Sequence, residues 1–106
     1  MIKYTTPTFR FNFASETGVD FSEVDASDIV FSLWQPNGAK ITKTGENLVV
    51  SGSMVDATLT QNDSVNLALG TALVQLNWIQ NGRRAATPVS EVPITRNLLE
   101  EIMGND

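Results

Sequence analysis

The sequence is that of a short, mildly acidic chain with enough apolar residues for one core. It has 106 residues, of which 42% are hydrophobic and 18% charged, with a formal net charge of -5. We expect a single domain over residues 1–106, because one hydrophobic core usually organises about 100 to 150 residues. The chain contains neither Cys nor His, which excludes disulfides, thiol nucleophiles and imidazole as a base or metal ligand.

The charge pattern bears on partners and location. Seven Lys and Arg are scattered among twelve Asp and Glu, so we expect no binding to nucleic acid or anionic lipid, since both select clustered basic residues. Residues 1–7 lack the apolar run of a secretory signal. No stretch approaches the roughly 18 apolar residues of a membrane helix. The sequence predicts a soluble protein made in the cytoplasm, with no membrane insertion and no cofactor.

The first strand is indicated by alternating aromatic residues. Within residues 8–13, Phe9, Phe11 and Phe13 recur at period two, which places three rings on one strand face. Residues 14–28 follow with five carboxylates and isolated apolar residues. They predict a loop, with room for one short strand, whose apolar side chains pack on the core.

Two Asn-Gly pairs predict hairpins. Asn37-Gly38 and Asn81-Gly82 each separate two segments rich in strand-forming residues, and Asn-Gly is favoured in a type I′ turn, which needs positive φ at both central residues. The paired segments are residues 29–35 with 39–44, and residues 71–80 with 83–95. Residues 48–50 and 54–60 predict two further strands.

The remaining segments predict an edge and two short helical pieces. Pro88 and Pro93 lie in the last return arm and lack the N–H of a central ladder, so part of that arm should lie at an edge or contain a bulge. A capped helical turn is predicted near residues 61–69. Apolar residues at helical spacing in residues 96–104 predict a short C-terminal helix.

These elements predict an all-β fold. About seven short strands with frequent turns are typical of an immunoglobulin-like antiparallel β-sandwich, although the Cys-Trp-Cys pattern of true immunoglobulin domains is missing.

Candidate binding residues are few, and each has a structural alternative. Trp34 and Trp78 are candidate stacking platforms for sugars or anchors of a protein interface, with core packing the alternative for both. Arg83 and Arg84 could pair with phosphate or carboxylate groups, but neighbouring residues of a strand point to opposite faces, which favours edge protection.

An acidic cluster is the weakest candidate site. It consists of Asp20, Glu23, Asp25 and Asp28. Calcium binding needs six or more converging oxygens, and the spacing of an EF-hand loop is absent here. A solvated acidic loop is the favoured interpretation, with a metal site or a small enzyme using two of these carboxylates as alternatives.

Several stretches together resemble a known family. They are residues 8–13 (TFRFNF), the Gln35-Pro36-Asn37-Gly38 turn within residues 29–43, residues 59–64 (LTQNDS), and residues 70–80 with Asn81-Gly82. Their order is similar to small proteins of prophage tail clusters in Firmicutes, and to the N-terminal module of the lactococcal phage upper baseplate protein. The resemblance covers about residues 8–95.

The resemblance implies an immunoglobulin-like sandwich with a place in tail or baseplate assembly, and it supplies no catalytic residues. The implied partners are other phage tail or baseplate proteins or copies of the chain itself, in the virion or in the host cytoplasm during assembly. The sequence lacks the long extension of the baseplate protein, so we expect a free-standing piece, an adaptor or an assembly chaperone. A carbohydrate-binding module using an exposed Trp, with a glycan as ligand, remains the alternative.

Overall fold

Apolar residues at every second position build two packed antiparallel sheets. The computed structural model describes residues 1–13 and 19–104, and this part of the chain contains eight strands. They are β1 (Thr8–Asn12), β2 (Ile29–Trp34), β3 (Lys40–Thr44), β4 (Leu48–Ser51), β5 (Met54–Thr58), β6 (Gly70–Gln80), β7 (Arg83–Ala86) and β8 (Ser90–Ile94).

The strand order is that of an immunoglobulin-like sandwich. The small sheet has the order β1-β5-β4, and the large sheet has the order β3-β2-β6-β7, with β8 also paired with β6. These orders correspond to strands B-E-D and C′-C-F-G of the immunoglobulin fold. The prediction of an all-β antiparallel sandwich is therefore confirmed.

The structure has eight strands in its described part, rather than the predicted seven or so, because the last return arm is divided at residues 87–89. Pro88 cannot donate to the ladder, but Thr87 on its N-terminal side still bonds to β6, since its N–H donates to the Leu76 carbonyl at 2.9 Å. The two short strands β7 and β8 therefore share one neighbour and form an edge of the sheet, as the prolines predicted. The N-terminal segment lies beside the end of β8, where Lys3 N–H donates to the Thr95 carbonyl.

The core lies between the sheets and is rich in aromatic rings. From β1, Phe9 and Phe11 both pack on Phe31 of β2, with ring centroids 5.5 and 6.0 Å apart. The predicted stripe of Phe rings thus faces the core. The apolar side chains buried in the described part are those of Phe13, Phe21, Ile29, Phe31, Leu33, Leu48, Val55, Ala57, Leu59, Leu67, Ala72, Val74, Leu76, Trp78 and Ile94.

Both predicted hairpins form, but the first has a different turn from the one expected. Asn81 and Gly82 have φ of 53° and 75°, as a type I′ turn requires. In the first hairpin only Gly38 has positive φ, at 97°, and its N–H donates to the Gln35 carbonyl at 3.0 Å. The proline at position 36 holds φ near −65° and favours a three-residue loop that ends in a glycine bulge.

The predicted helical turn near residues 61–69 is present as α1 (Gln61–Val65). It begins with a capping box, because Thr60 Oγ1 accepts from Asp63 N–H at 3.0 Å and the Asp63 carboxylate accepts from Thr60 N–H at 2.9 Å. Lys43 Nζ lies 2.6 Å from the same carboxylate. Burial raises the pKa of Asp63, but these hydrogen bonds and the charge of Lys43 outweigh it and leave the pKa below its usual value.

The prediction of a C-terminal helix is wrong, since residues 96–104 contain no helix. Side chains take the place of helical carbonyls there: Asn97 Oδ1 accepts from Leu99 N–H at 3.0 Å, and Gln61 Oε1 accepts from Met103 N–H at 2.8 Å. Leu98 is 93% exposed. A helix this short is marginal without a packed apolar face, and the apolar side chains of this segment are all classed as exposed: Leu98, Leu99, Ile102 and Met103.

Candidate binding face

The two outer faces of the sandwich differ in character. On the small sheet, Arg10 donates to both carboxylate oxygens of Asp56 at 2.9 and 3.0 Å, and the hydroxyls of Thr8 and Thr58 share a hydrogen bond of 2.8 Å. The hydrogen bond from Arg10 lowers the pKa of Asp56. Val49 is exposed beside these pairs. Polar pairs that satisfy one another across strands are typical of a face that meets water.

The outward side of the large sheet, named here the large-sheet face, is built by the alternation of β2 and β6. Because Ile29, Phe31 and Leu33 point into the core, the residues between them point outward. The face comprises Val30, Ser32 and Trp34 on β2, Leu73, Gln75, Asn77 and Ile79 on β6, Lys40, Thr42 and Thr44 on β3, Arg84 and Ala86 on β7, and Glu91 on β8.

Apolar side chains lie at both ends of this face. Trp34 is 43% exposed and pairs with Leu73 across the strands, and Ile79 at the other end is 47% exposed. Two open depressions follow the line between β2 and β6. One, of 340 Å³, includes Val30 and Ile79 in its lining, and the other, of 160 Å³, includes Trp34 and Leu73.

The middle of the face is polar. Ser32 lines both depressions and makes them neighbours. The Gln75 amide donates to the Thr87 carbonyl at 2.8 Å, and the Asn77 side-chain oxygen accepts from the guanidinium of Arg84 at 3.2 and 3.3 Å. Apolar contact together with amide, hydroxyl and single charged groups is the chemistry of a protein or glycan contact.

The two tryptophans have opposite environments. Trp34 lies on the large-sheet face as a candidate contact residue should. Trp78 is only 6% exposed, and its ring lies 5.4 Å from those of both Phe13 and Phe21. Its proposed role as a surface platform is therefore wrong, and the alternative of core packing is correct. The signal was in the sequence, since Trp78 alternates in phase with apolar residues whereas Trp34 alternates in phase with Ser32.

The two arginines separate as their positions in the strand predicted. Arg84 is opposite Ile79 on the large-sheet face, whereas Arg83 is opposite Gln80, one residue along, and so points to the other side of the sheet. Both are exposed. Arg84 therefore belongs to the large-sheet face and Arg83 lies off it.

The acidic loop uses its carboxylates to cap 3₁₀ turns at Phe21–Glu23 and Ala26–Asp28. Asp20 accepts from Ser22 N–H at 2.9 Å, and Asp25 accepts from Ser27 N–H at 3.0 Å, bonds that lower the pKa of both carboxyls. The side chain of Glu23 lies outside what the structure describes.

This arrangement offers little to a metal ion. Among the side chains that the structure describes, which do not include that of Glu23, no three acidic groups come together as a possible metal site. Asp28 lines the larger depression of the large-sheet face, and it also lines a separate polar depression together with Asp20 and Asp25. The carboxylates of Asp20 and Asp25 therefore have a sufficient structural role as caps.

Several residues of this face were not among the sequence candidates. Val30, Leu73, Asn77 and Ile79 carry no chemical signature of their own, and only their phase within the strand marks them. The buried polar residues of the described part, Gln35 and Ser64, have structural roles: Gln35 bonds to Ala68, and Ser64 Oγ accepts from a backbone N–H at 2.8 Å.

No protein-family model matches the chain, and no curated protein matches it at a significant level. No helix in the described part of the chain has both the length and the apolar character needed to span a bilayer.

Proposed function

We propose that this chain is a non-enzymatic structural or assembly protein of a phage tail or baseplate, which acts through protein–protein contacts made by its large-sheet face. The observation that carries the contact surface is the difference between the two outer faces. The small sheet pairs its charges internally and exposes the smaller apolar side chain of Val49, whereas the large sheet leaves Trp34 and Ile79 uncovered at the two ends of its face. The assignment to a phage tail is supported by the resemblance of residues 8–95 described above.

The energetics suit a docking surface. Tryptophan is among the residues that most often dominate binding energy at interfaces. The exposed part of Trp34 corresponds to about 100 Å² of mostly apolar surface, and burying it contributes about 2.5 kcal/mol. Polar groups between the two apolar ends supply hydrogen bonds that fix the register of a partner.

Mass spectrometry of purified particles tests this proposal. Particles and tail intermediates induced from a strain that carries the gene should contain the chain in a constant ratio to other tail proteins. A strain with Trp34→Thr and Ile79→Thr should lose the chain from particles, because both anchors of the contact are gone. A matched variant, Val49→Thr on the small sheet, should retain it. Absence of the native chain from particles and from intermediates would refute the proposal.

A carbohydrate-binding role is the second candidate, and one observation favours it. The Trp34 ring is exposed on a strand of an open sheet, beside Ser32 and Gln75, and sugars stack on such rings while neighbouring polar groups bond to their hydroxyls. A glycan array with the native chain and with Trp34→Thr tests this role. Binding that is lost in the variant supports it, and an empty array removes it.

A further inference from the structure

Four charges surround the large-sheet face. At the hairpin end that holds Pro36, the ladder places Lys40, Trp34, Leu73 and Glu91 side by side in one row across the four strands. Lys40 and Glu91 are both exposed. This end of the face therefore has a positive charge on the β3 side and a negative charge on the β8 side.

The opposite end carries the reverse arrangement. Arg84 lies opposite Ile79 on the β7 side, and Asp28 lines the same depression from the other side, next to the start of β2. Asp28 directly precedes β2, and because Ile29 pairs with Trp78, Asp28 lies beside Ile79 on the side away from β7. Here the negative charge is on the β2 side of Ile79 and the positive charge is on the β7 edge.

Charges that alternate in sign around four corners are complementary to a copy of themselves. If two such faces pack about a two-fold axis parallel to the strands, Asp28 of one copy faces Arg84 of the other. In the same arrangement Lys40 faces Glu91. If the axis runs across the strands, the pairs become Asp28 with Lys40 and Arg84 with Glu91. All of these contacts are between opposite charges, as favoured interfaces require.

Other orientations are disfavoured by the same charges. A two-fold axis along a diagonal of the face would cross the strands of the two sheets at a right angle. At the two corners on this axis, each residue would meet the same residue of the other copy. At the other two corners, residues of like charge would meet. Like-charge contacts at an interface cost free energy, so the pattern selects aligned sheets.

We propose that the large-sheet face binds the same face of a second copy of this chain, in an isologous dimer with aligned strands. This inference rests on the proposed function, in which the same face docks proteins, and it names the partner. The dimer buries Trp34 and Ile79 of both copies, and the four corner charges set its orientation. A two-fold contact uses the same patch twice, so each anchor and each charge pair counts twice.

The size of the face sets the expected strength. Its corners enclose about 20 Å along the strands and about 15 Å across them, a footprint of about 300 Å², compared with about 800 Å² per partner in a standard interface. The dimer is therefore weak in dilute solution. It becomes significant where the chain is concentrated in an assembly.

Sedimentation velocity on the purified chain, from about 10 μM to about 1 mM, tests the inference. The native chain should show a monomer–dimer equilibrium over this range. Arg84→Glu replaces two attractive contacts with two repulsive ones and should raise the dissociation constant about tenfold. Trp34→Thr should have an effect of similar size. The matched control, Arg10→Glu on the small sheet, should leave the equilibrium unchanged.

Charge-swapped double variants determine the axis. Asp28→Arg with Arg84→Asp should restore dimerisation if the axis is parallel to the strands, and Asp28→Lys with Lys40→Asp should restore it if the axis is perpendicular. Circular dichroism confirms that each variant is folded. A chain that stays monomeric to about 1 mM, reversals without effect, or failure of both swaps to restore the dimer would overturn the inference.

The two proposals fail in different ways. A monomeric chain that is nevertheless present in tail particles refutes the dimer and keeps the proposed function. A dimer whose chain is absent from particles and intermediates refutes the phage assignment and keeps the dimer.

Discussion

The contrast between the two tryptophans leads to a pair of substitutions whose effects on stability and on self-association should differ. Trp78 packs in a closed cluster with Phe13 and Phe21. Replacing its indole by phenyl removes about 40 Å³, which at about 24 cal/mol per Å³ of cavity costs about 1 kcal/mol, and the lost transfer free energy adds about as much. We therefore expect Trp78→Phe to lower the free energy of unfolding by about 2 kcal/mol, out of a total of about 5–15 kcal/mol for a domain.

Trp34→Thr should cost less stability than Trp78→Phe. The ring is 43% exposed, and Thr keeps the β-branched character that strands favour, so the expected cost is about 0.5–1 kcal/mol. Self-association should nevertheless weaken, because the side chain is an anchor of the proposed interface. Trp78 is thus expected to contribute mainly to stability, and Trp34 mainly to association.

Urea unfolding followed by fluorescence measures the stability of both variants, since the chain has two tryptophans and each variant retains one, while sedimentation velocity measures their self-association. Emission from Trp34→Thr should be blue-shifted and protected from acrylamide, as it comes from the buried Trp78. Emission from Trp78→Phe should be red-shifted and readily quenched. If Trp34→Thr proved the more destabilised variant, or if its remaining emission were red-shifted, the placement of Trp78 in the core and of Trp34 at the surface would be wrong.

Further predictions concern stability. Gln35→Leu should lower the free energy of unfolding by about 2–4 kcal/mol, because the Gln35 amide bonds to both the N–H and the carbonyl of Ala68 and the substitution leaves these groups unpaired; unchanged urea unfolding would contradict this. The lowered pKa of Asp63 means that its contribution to stability is present above the unfolded pKa of about 3.9 and is lost as the pH falls through the folded pKa. The thermal unfolding temperature of Asp63→Asn should therefore depend less on pH in this acidic range than that of the native chain. Equal pH dependence would show that Asp63 and its bond to Lys43 are not the source of the loss of stability in acid. Gly82→Ala, at φ 75°, should cost about 1 kcal/mol in urea unfolding, and no loss would argue against the type I′ turn.

Much of the fold could be predicted from local patterns. The stripe of Phe9, Phe11 and Phe13 and the alternation of apolar residues along β6 depend only on the period of a strand. The Asn81-Gly82 turn follows from the φ values that these residues tolerate. The capping box of Thr60 and Asp63 likewise needs contacts only within one turn. Each of these features is decided within a few residues of the chain.

The incorrect predictions concern features that depend on neighbours. The C-terminal segment has helical spacing, but a helix needs an apolar partner to pack on, and Leu98 has none among the described residues. The Asn37-Gly38 pair by itself predicts a type I′ turn, but the fixed φ of Pro36 favours a three-residue loop with a glycine bulge. The prediction of a binding role for Trp78 was wrong because its ring packs on Phe21. Phe21 belongs to a 3₁₀ turn outside the strands.

The sequence by itself determined that this chain forms strands, where they turn and which side of each strand is apolar, because strand periodicity and turn conformations are local properties. Only the tertiary structure decided which apolar sides meet and which face remains open. Asp28 and Lys40 lie in the first half of the chain and Arg84 and Glu91 in the second, and the four surround one face only because β2, β3, β6, β7 and β8 share a sheet. Strand pairing over such distances is a property of the whole fold, so the candidate binding face could be recognised only once the sheets were assembled.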